Sequence, residues 1–343
     1  MKKLPIGIQT FSEIREGNYI YIDKTQMILN LVQNGKNYFL SRPRRFGKSL
    51  FLDTLKCVFE GKKELFKDLY IYDKWDFEKK YPVIKIDFSK GVVKSISELK
   101  TKIMEILNYN QQILNIKCEK DYSQSGCLFD LIKKAFEKYK EKVVILIDEY
   151  DKPILDNILN KDVSKEIRDE LRNIYSVIKG SDEYIKFSFI TGVSKFSKIS
   201  LFSGLNNIYD ITITEKYSTI CGYTQDDLER EFHEYLTPEV DKEEVKRWYN
   251  GYRWLGESVY NPFDILLFFS NNNIFKNYWF ETGNPTFLID MIKEKKYFLP
   301  DFENIVVTES ILNKFDVDEM SIEALFWQTG YLTIKNVVYK GVM

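Results

Sequence analysis

The sequence of 343 residues predicts an α/β fold, a parallel sheet with flanking helices, joined to a mainly helical C-terminal domain. Three observations carry that expectation. Five short, nearly continuous apolar runs recur along residues 1–214, and such runs suit strands buried on both faces. Helical patterns separate them, which is the alternation that builds parallel sheets. Beyond about Glu215 the alternation stops, and residues 215–343 read as helices joined by turns.

In chain order, "NYFLS" (37–41) is the first strand, and a helix is expected over 49–61. "PVIKIDF" (82–88) is the second, followed by helices over 95–115 and 127–140. "VVILID" (143–148) is the third, before a helix over 164–179. "YIKFSFIT" (184–191) and "IYDITI" (208–213) complete the set. In the second part helical patterns cover 225–235, 242–249, 262–269, 285–292 and 321–328. Turns such as "NGY" and "TGNP" break them, and a small terminal hairpin is expected near "GYLTIKNVVYKGV".

Composition narrows the function. A net charge of −1 argues against bulk attraction to nucleic acid or to an anionic membrane. The four cysteines are far apart without C-x-x-C spacing, which argues against a disulfide framework or a zinc site. The single histidine, His233, lies in the polar stretch "DDLEREFHEYL" and reads as a surface helix residue. The N-terminus meets Pro5, Gly7, Gln9 and Ser12 before any apolar run develops, so no signal peptide is expected. No stretch approaches about 18 uninterrupted apolar residues. The expectation is a soluble, cytoplasmic protein.

The stretch "LSRPRRFGKSLF" (40–51) falls between the first strand and the first helix. Its second half fits the phosphate-binding pattern G-x-x-x-x-G-K-[ST], with Arg42 in the place of the first glycine. In such a loop the main-chain N–H groups and the positive end of the following helix converge on phosphate oxygens. Arg44, Arg45, Phe46, Gly47, Lys48, Ser49 and Leu50 would then surround a nucleotide's phosphates. Gly47 lets the backbone pass close, Lys48 reaches the β- and γ-phosphates, and the Ser49 hydroxyl ligates Mg²⁺. Alone, Gly-Lys-Ser is equally a basic turn capping a core helix.

A second motif decides between these readings. "VVILIDEYD" (143–151) delivers Asp148 to the C-terminal end of a buried strand, the edge at which open parallel sheets bind ligands. Asp148 would hold Mg²⁺ as a Walker-B aspartate does, with Glu149 as base beside the attacking water. One hundred residues and another strand separate Lys48 from Asp148. That spacing suits a P-loop NTPase with an AAA+-like sheet, in which a strand inserts between the two motif strands. Thr191, ending the next strand, is placed to sense the γ-phosphate.

These stretches, with "LPIGIQTF" (4–11), "YIDKT" (21–25), "WYNGYRW" (248–254), "VYNPFDIL" (259–266) and "WQTGYLTIK" (327–335), resemble the bacterial AAA-ATPase-like domain family. The resemblance covers nearly the whole chain. That family commonly spells its loop R-P-R-R-x-G-K-S, so the resemblance makes Arg42 a family feature. By the same resemblance Lys48, Ser49, Asp148 and Glu149 take the roles given above. Members typically carry a PD-(D/E)XK nuclease-like domain at the C-terminus. Here Pro300 and Asp301 supply a "PD", but no D/E-x-K follows, so nuclease activity is not expected of this chain, whether a natural truncation or part of a longer product.

The expectation is an ATP- and Mg²⁺-binding ATPase whose second domain leans beside the site as a lid. A slow-turnover, nucleotide-gated switch is one alternative. The other is the ATPase part of a nucleic-acid-processing nuclease, in which Trp248, Tyr249, Tyr252 and Trp254, interleaved with Arg247 and Arg253, stack on single strands. The same aromatics read equally as core. Asp23 and Gln26 have capping-box spacing, favoured over an adenine contact. Arg44 and Arg45 touch phosphates or pair with Asp151 or other acids. Arg172 is the only arginine-finger candidate. Arg42 is expected to point away from the phosphates and pair with an acid, the alternative being that it folds over them. A homo-oligomer or a protein partner is left open.

Overall fold

A computed structural model of the chain describes residues 1–119, 121–158, 160–195, 207–281, 305–308, 312 and 321–338. The predicted strands form β1 (Asn37–Ser41), β2 (Val83–Asp87), β3 (Val143–Asp148), β4 (Ile185–Gly192) and β5 (Tyr209–Asp210). They lie in the order β2-β3-β4-β1-β5, with every neighbouring pair parallel. Strand β4 therefore separates β1 from β3.

Alternation along the strands sorts their side chains onto two faces. Tyr38, Leu40, Val144, Leu146, Phe187 and Phe189 face one core, which also receives α1 (Phe11–Glu16), α2 (Thr25–Asn34) and α3 (Lys48–Phe59). Phe39, Ile84, Ile86, Ile145, Ile147 and Ile190 face the other, under α4 (Ile96–Leu114), α5 (Gln124–Tyr139) and α7 (Lys161–Gly180). Short α6 (Lys152–Leu155) follows β3. Each fully buried large apolar side chain contributes about 1.5–3 kcal/mol, so both faces favour this register.

Local chemistry sets the boundaries. The Ser95, Ser123 and Asn160 side chains accept from Glu98, Gly126 and Val163 N–H groups, starting α4, α5 and α7. Helix α7 begins before residue 164 because Asn160 caps it. Strand β5 is shorter than 208–213: the Ser41 N–H is taken by Thr212 Oγ1, so a side chain replaces the next ladder acceptor. Asp210 Oδ1 accepts from Thr212 N–H in the same turn.

In the second part the helices Gln225–Glu231, Lys242–Tyr249, Pro262–Ser270 and Ile322–Thr329 form close to expectation. The helix expected at 285–292, the "TGNP" turn and Pro300 and Asp301 lie outside the described residues. Two expectations are corrected. "NGY" is a strand, Asn250–Tyr252, paired antiparallel with Val259–Tyr260. Residues 330–338 carry no strand, because Gly330, Tyr331 and Leu332 N–H groups return to Trp327 and Phe326 carbonyls and Thr333 Oγ1 accepts from Arg253 N–H.

Apolar packing runs through position 214. Tyr217, Ile220, Trp254, Val259 and Trp327 belong to the core of the α3 face. N-terminal Ile20 and Ile22 pack with Leu228, Phe232, Tyr249 and Phe268. Cys118 and Cys127, nine residues apart, are joined by a disulfide, a single staple in the α4–α5 connection and not a framework. His233 is exposed just beyond the Gln225–Glu231 helix, with Nδ1 against Arg230 O. No described helix is long and apolar enough to cross a membrane.

Candidate nucleotide site

The 42–47 segment leaves β1 at the C-terminal edge of the sheet and enters α3 at Lys48. Gly47 is the N-cap residue, with φ of +87°, and no side chain caps the helix. The first-turn N–H groups of α3 therefore have no local side-chain acceptor and carry the positive end of the helix dipole. A methyl group at Gly47 would meet no atom within 4 Å, so this side of the loop is open. Arg45, at φ +70°, and Glu149, at φ +53°, also adopt left-handed backbone, an uncommon conformation for such side chains.

A cleft of about 380 Å³ opens over the loop. Arg44, Arg45, Phe46, Gly47, Lys48, Ser49, Leu50 and Glu149 all line it. The Lys48 ammonium is buried and donates to the carbonyls of Arg42 and Pro43, at 3.0 Å each. Ser49 lines the cleft, and its hydroxyl acts to lower the carboxyl of Asp148 at the end of β3. The two sequence motifs thus meet at this cleft.

Asp148 is 1% exposed and does not itself line the cleft. Its Oδ1 has no hydrogen-bond partner. Burial pushes its carboxyl up to about 6; Ser49 and Lys48 oppose this, while Asp87, directly across on β2, and Glu149 add repulsion. Thr191 lies one step beyond the Ile147–Ile190 pair and level with Leu40 on β1. It is fully buried, outside the cleft lining, and its hydroxyl has no partner.

Arg42 departs from expectation. It points away from the open side of the loop, but three main-chain carbonyls and a ring hold it, not an acid. Nη1 donates to Ser41 O and Thr212 O at 2.9 Å each, Nη2 donates to Tyr217 O at 3.2 Å, and the guanidinium lies 4.0 Å from the Trp254 ring centre. The groups that the sheet end offers to this side chain are carbonyls, which is why no acid pairs with it. Neither Arg44 nor Arg45 pairs with Asp151: Arg45 lies 4.3 Å over the Phe263 ring, and Arg44 is exposed. Asp151 is fully buried and accepts from Val193 N–H and from Ser194 N–H and Oγ, bracing the turn after β4 against β3. Arg172 pairs with Asp169 one turn back on α7.

Sequence motifs do not single out the opposite wall residue by residue. Ile8, Gln9, Tyr21 and Lys24 come from the N-terminal segment, and Cys221, Phe263 and Leu266 from the second part. The signal for all of these but Cys221 is the set of stretches 4–11, 21–25 and 259–266 that carry the family resemblance. Asp23 is structural, accepting from Thr25 and Tyr70 N–H groups, while Gln26 is exposed. Tyr249 and Trp254 are buried and Tyr252 packs edge-on to Phe46; Trp248, 37% exposed, lies against Phe275.

The fold and cleft define an α/β protein with an anion-ready loop at the sheet edge. The chain belongs to the predicted AAA-ATPase family (AAA-ATPase-like), whose model matches residues 5–202. It is 51% identical over 337 residues to an "Uncharacterized protein in vnfD 5'region" of Azotobacter chroococcum mcd 1. The match takes in 98% of this chain and 65% of that protein, so the chain spans just under two thirds of its relative's length. No solved structure matches the chain.

Proposed function

We propose that the chain binds ATP with Mg²⁺ in the cleft over the 42–47 loop and hydrolyses it, as a P-loop ATPase with Walker A and B motifs. The observation that carries this reading is the meeting of the two motifs at one cleft: Gly47, Lys48 and Ser49 at the start of α3 and Glu149 after β3 all line it, beside the buried strand-end Asp148. The donor set fits a hard divalent cation: a hydroxyl, and a carboxylate with one buried oxygen unpartnered. Ser49 and Asp148 would hold the ion, which supplies positive charge to the phosphates and favours ionised Asp148.

The chain's own residues do the rest. The open amides from Gly47 onward bind phosphate oxygens. Lys48 exchanges the Arg42 and Pro43 carbonyls for the β- and γ-phosphates, gaining charge-assisted contacts. Glu149, which lines the cleft beside Asp148, orients water for in-line attack, and the Thr191 hydroxyl senses the γ-phosphate end. The 215–343 part acts as a lid, with Phe263 and Leu266 closing one side of the cleft.

The test is single-turnover hydrolysis of ATP by wild type and Glu149→Gln, with nucleotide binding followed in parallel. The expected result is binding by both and phosphate release by wild type only. Binding without release by wild type makes the protein a nucleotide-gated switch; equal release by both removes Glu149 from the reaction.

A further inference from the structure

We propose that Arg42 and Trp254 form a positioning pair that fixes the entrance of the phosphate-binding loop and ties its shape to the 250–254 segment of the second part. The proposal rests on the nucleotide reading above. It concerns residues that touch neither phosphate nor cation.

Four contacts from the second part brace the loop from behind. The Trp254 ring stacks on the Arg42 guanidinium at 4.0 Å. Phe46 meets Tyr252 and Trp254 edge-on, with ring centres 4.7 and 5.4 Å away. Pro43 packs so closely on Gly330 that a methyl there would lie 2.9 Å from Pro43 Cγ. Arg42 and Phe46 thus share one aromatic platform, at opposite ends of the loop that surrounds Lys48.

Backbone geometry shows why the position is free to hold an arginine. Arg42 is not among the residues with positive φ, so the turn out of β1 makes no demand for glycine at this point. Its side chain is 1% exposed, and burial lowers the guanidinium to about 10, so keeping it charged there is unfavourable. Three carbonyls and the face of an indole offset that in part. Asp210 nearby also favours the charged form, and a nucleotide's phosphates on the far side of the loop would add to that.

Lys48 adds the link to occupancy. Its ammonium holds the carbonyls of Arg42 and Pro43. When Lys48 turns to phosphate, those carbonyls lose their donor, and the guanidinium contacts, the Pro43–Gly330 packing and the Arg42 N–H bond to Gly192 O are left to fix the loop entrance. Movement there reaches the Trp254 ring directly. The pair therefore holds the loop in its binding shape and reports occupancy to the second part.

The experiment measures binding of a ribose-labelled fluorescent ATP analogue with Mg²⁺, kcat and KM, and tryptophan emission for wild type, Arg42→Lys, Arg42→Gly, Trp254→Phe and Trp254→Leu. Thermal unfolding without nucleotide identifies any variant that does not fold. Trp254→Phe keeps a ring face and is expected within about threefold of wild type; Trp254→Leu and Arg42→Lys are expected to weaken binding roughly tenfold, the scale of one charge-assisted contact. Arg42→Gly restores the common loop spelling, yet is expected to bind more weakly still. Nucleotide should change the emission of wild type, and that change should be lost in Trp254→Phe while its binding persists. Wild-type affinity in Arg42→Lys and Arg42→Gly, or an emission change that survives in Trp254→Phe, overturns the proposal. Should Trp254→Leu fail to fold, Arg42→Lys and Trp254→Phe decide alone. Lys48→Ala separates the two readings: if it binds nucleotide as wild type does, the site assignment fails, whereas loss in Lys48→Ala with wild-type binding in the Arg42 variants sinks only the positioning pair.

Discussion

Replacing Asp148 by asparagine should stabilise the nucleotide-free protein while abolishing turnover. The Asp148 carboxyl is raised from its ordinary 3.8 to about 6, chiefly by burial. A carboxyl raised in the folded chain takes up its proton before the unfolded chain does, so stability rises as pH falls through 6 and the gain is complete below about 3.8. Above pH 6 the folded chain instead carries an ionised, poorly solvated group. At 1.36 kcal/mol per pH unit, that disadvantage amounts to about 3 kcal/mol at pH 8. Asparagine removes it but loses the favourable influence of Ser49 and adds a buried amide donor, offsetting about 1–2 kcal/mol. The net gain expected at pH 8 is about 1–2 kcal/mol, a rise in Tm of roughly 2–4 °C. At pH 5 only about 1.5 kcal/mol of the disadvantage remains, no more than the offset, and the gain should vanish. Thermal unfolding of both proteins at pH 5 and pH 8, without nucleotide, measures this directly. A variant less stable at pH 8, or equally stabilised at both pH values, refutes the argument that burial of an unpaired carboxylate governs this site.

Thr191→Val removes a buried hydroxyl that has no partner, so stability should hold or rise by up to about 1 kcal/mol while turnover falls at least about tenfold. Unchanged turnover removes Thr191 from the γ-phosphate end. Gly192→Ala drives a methyl into Asp151 Oδ1 and the Tyr150 ring, and urea unfolding should show a loss of about 2–4 kcal/mol. Asp227→Ala breaks both the capping box of the Gln225–Glu231 helix and a partly buried 2.7 Å pair with Lys24, a cleft residue. The same measurement should show a loss of about 2–4 kcal/mol, together with weaker nucleotide binding.

The parts of this fold that depend on local pattern were legible in the sequence. β1, β3 and α3 come from apolar runs and a helix start whose signals lie within a few residues, and the Gly-Lys-Ser and Asp-Glu motifs sit on their ends. That a strand inserts between the two motif strands was expected, but only the structure identifies it as β4. What escaped depends on residues far apart in the chain. The carbonyls holding Arg42 belong to Ser41, Thr212 and Tyr217, and the ring over it is Trp254, so an acid was the natural guess for a buried cation. "NGY" has turn composition, and only the pairing with Val259–Tyr260 makes it a strand. Lys24 and Gln9 reach the cleft because the N-terminal segment crosses the loop, a tertiary fact with no local signature. Asp151 illustrates the same limit: as sequence it is one more acid after a strand, and only the Val193 and Ser194 donors mark it as a brace.

The central claim is that Lys48 and its loop bind the phosphates of ATP. Calorimetric titration of ATP with Mg²⁺ onto wild type and Lys48→Ala tests it most directly. The structure predicts saturable binding by wild type and weakening by roughly a hundredfold in the variant, as charge-assisted contacts to two phosphates are lost. Equal affinity in the two proteins, or no binding to wild type, contradicts it.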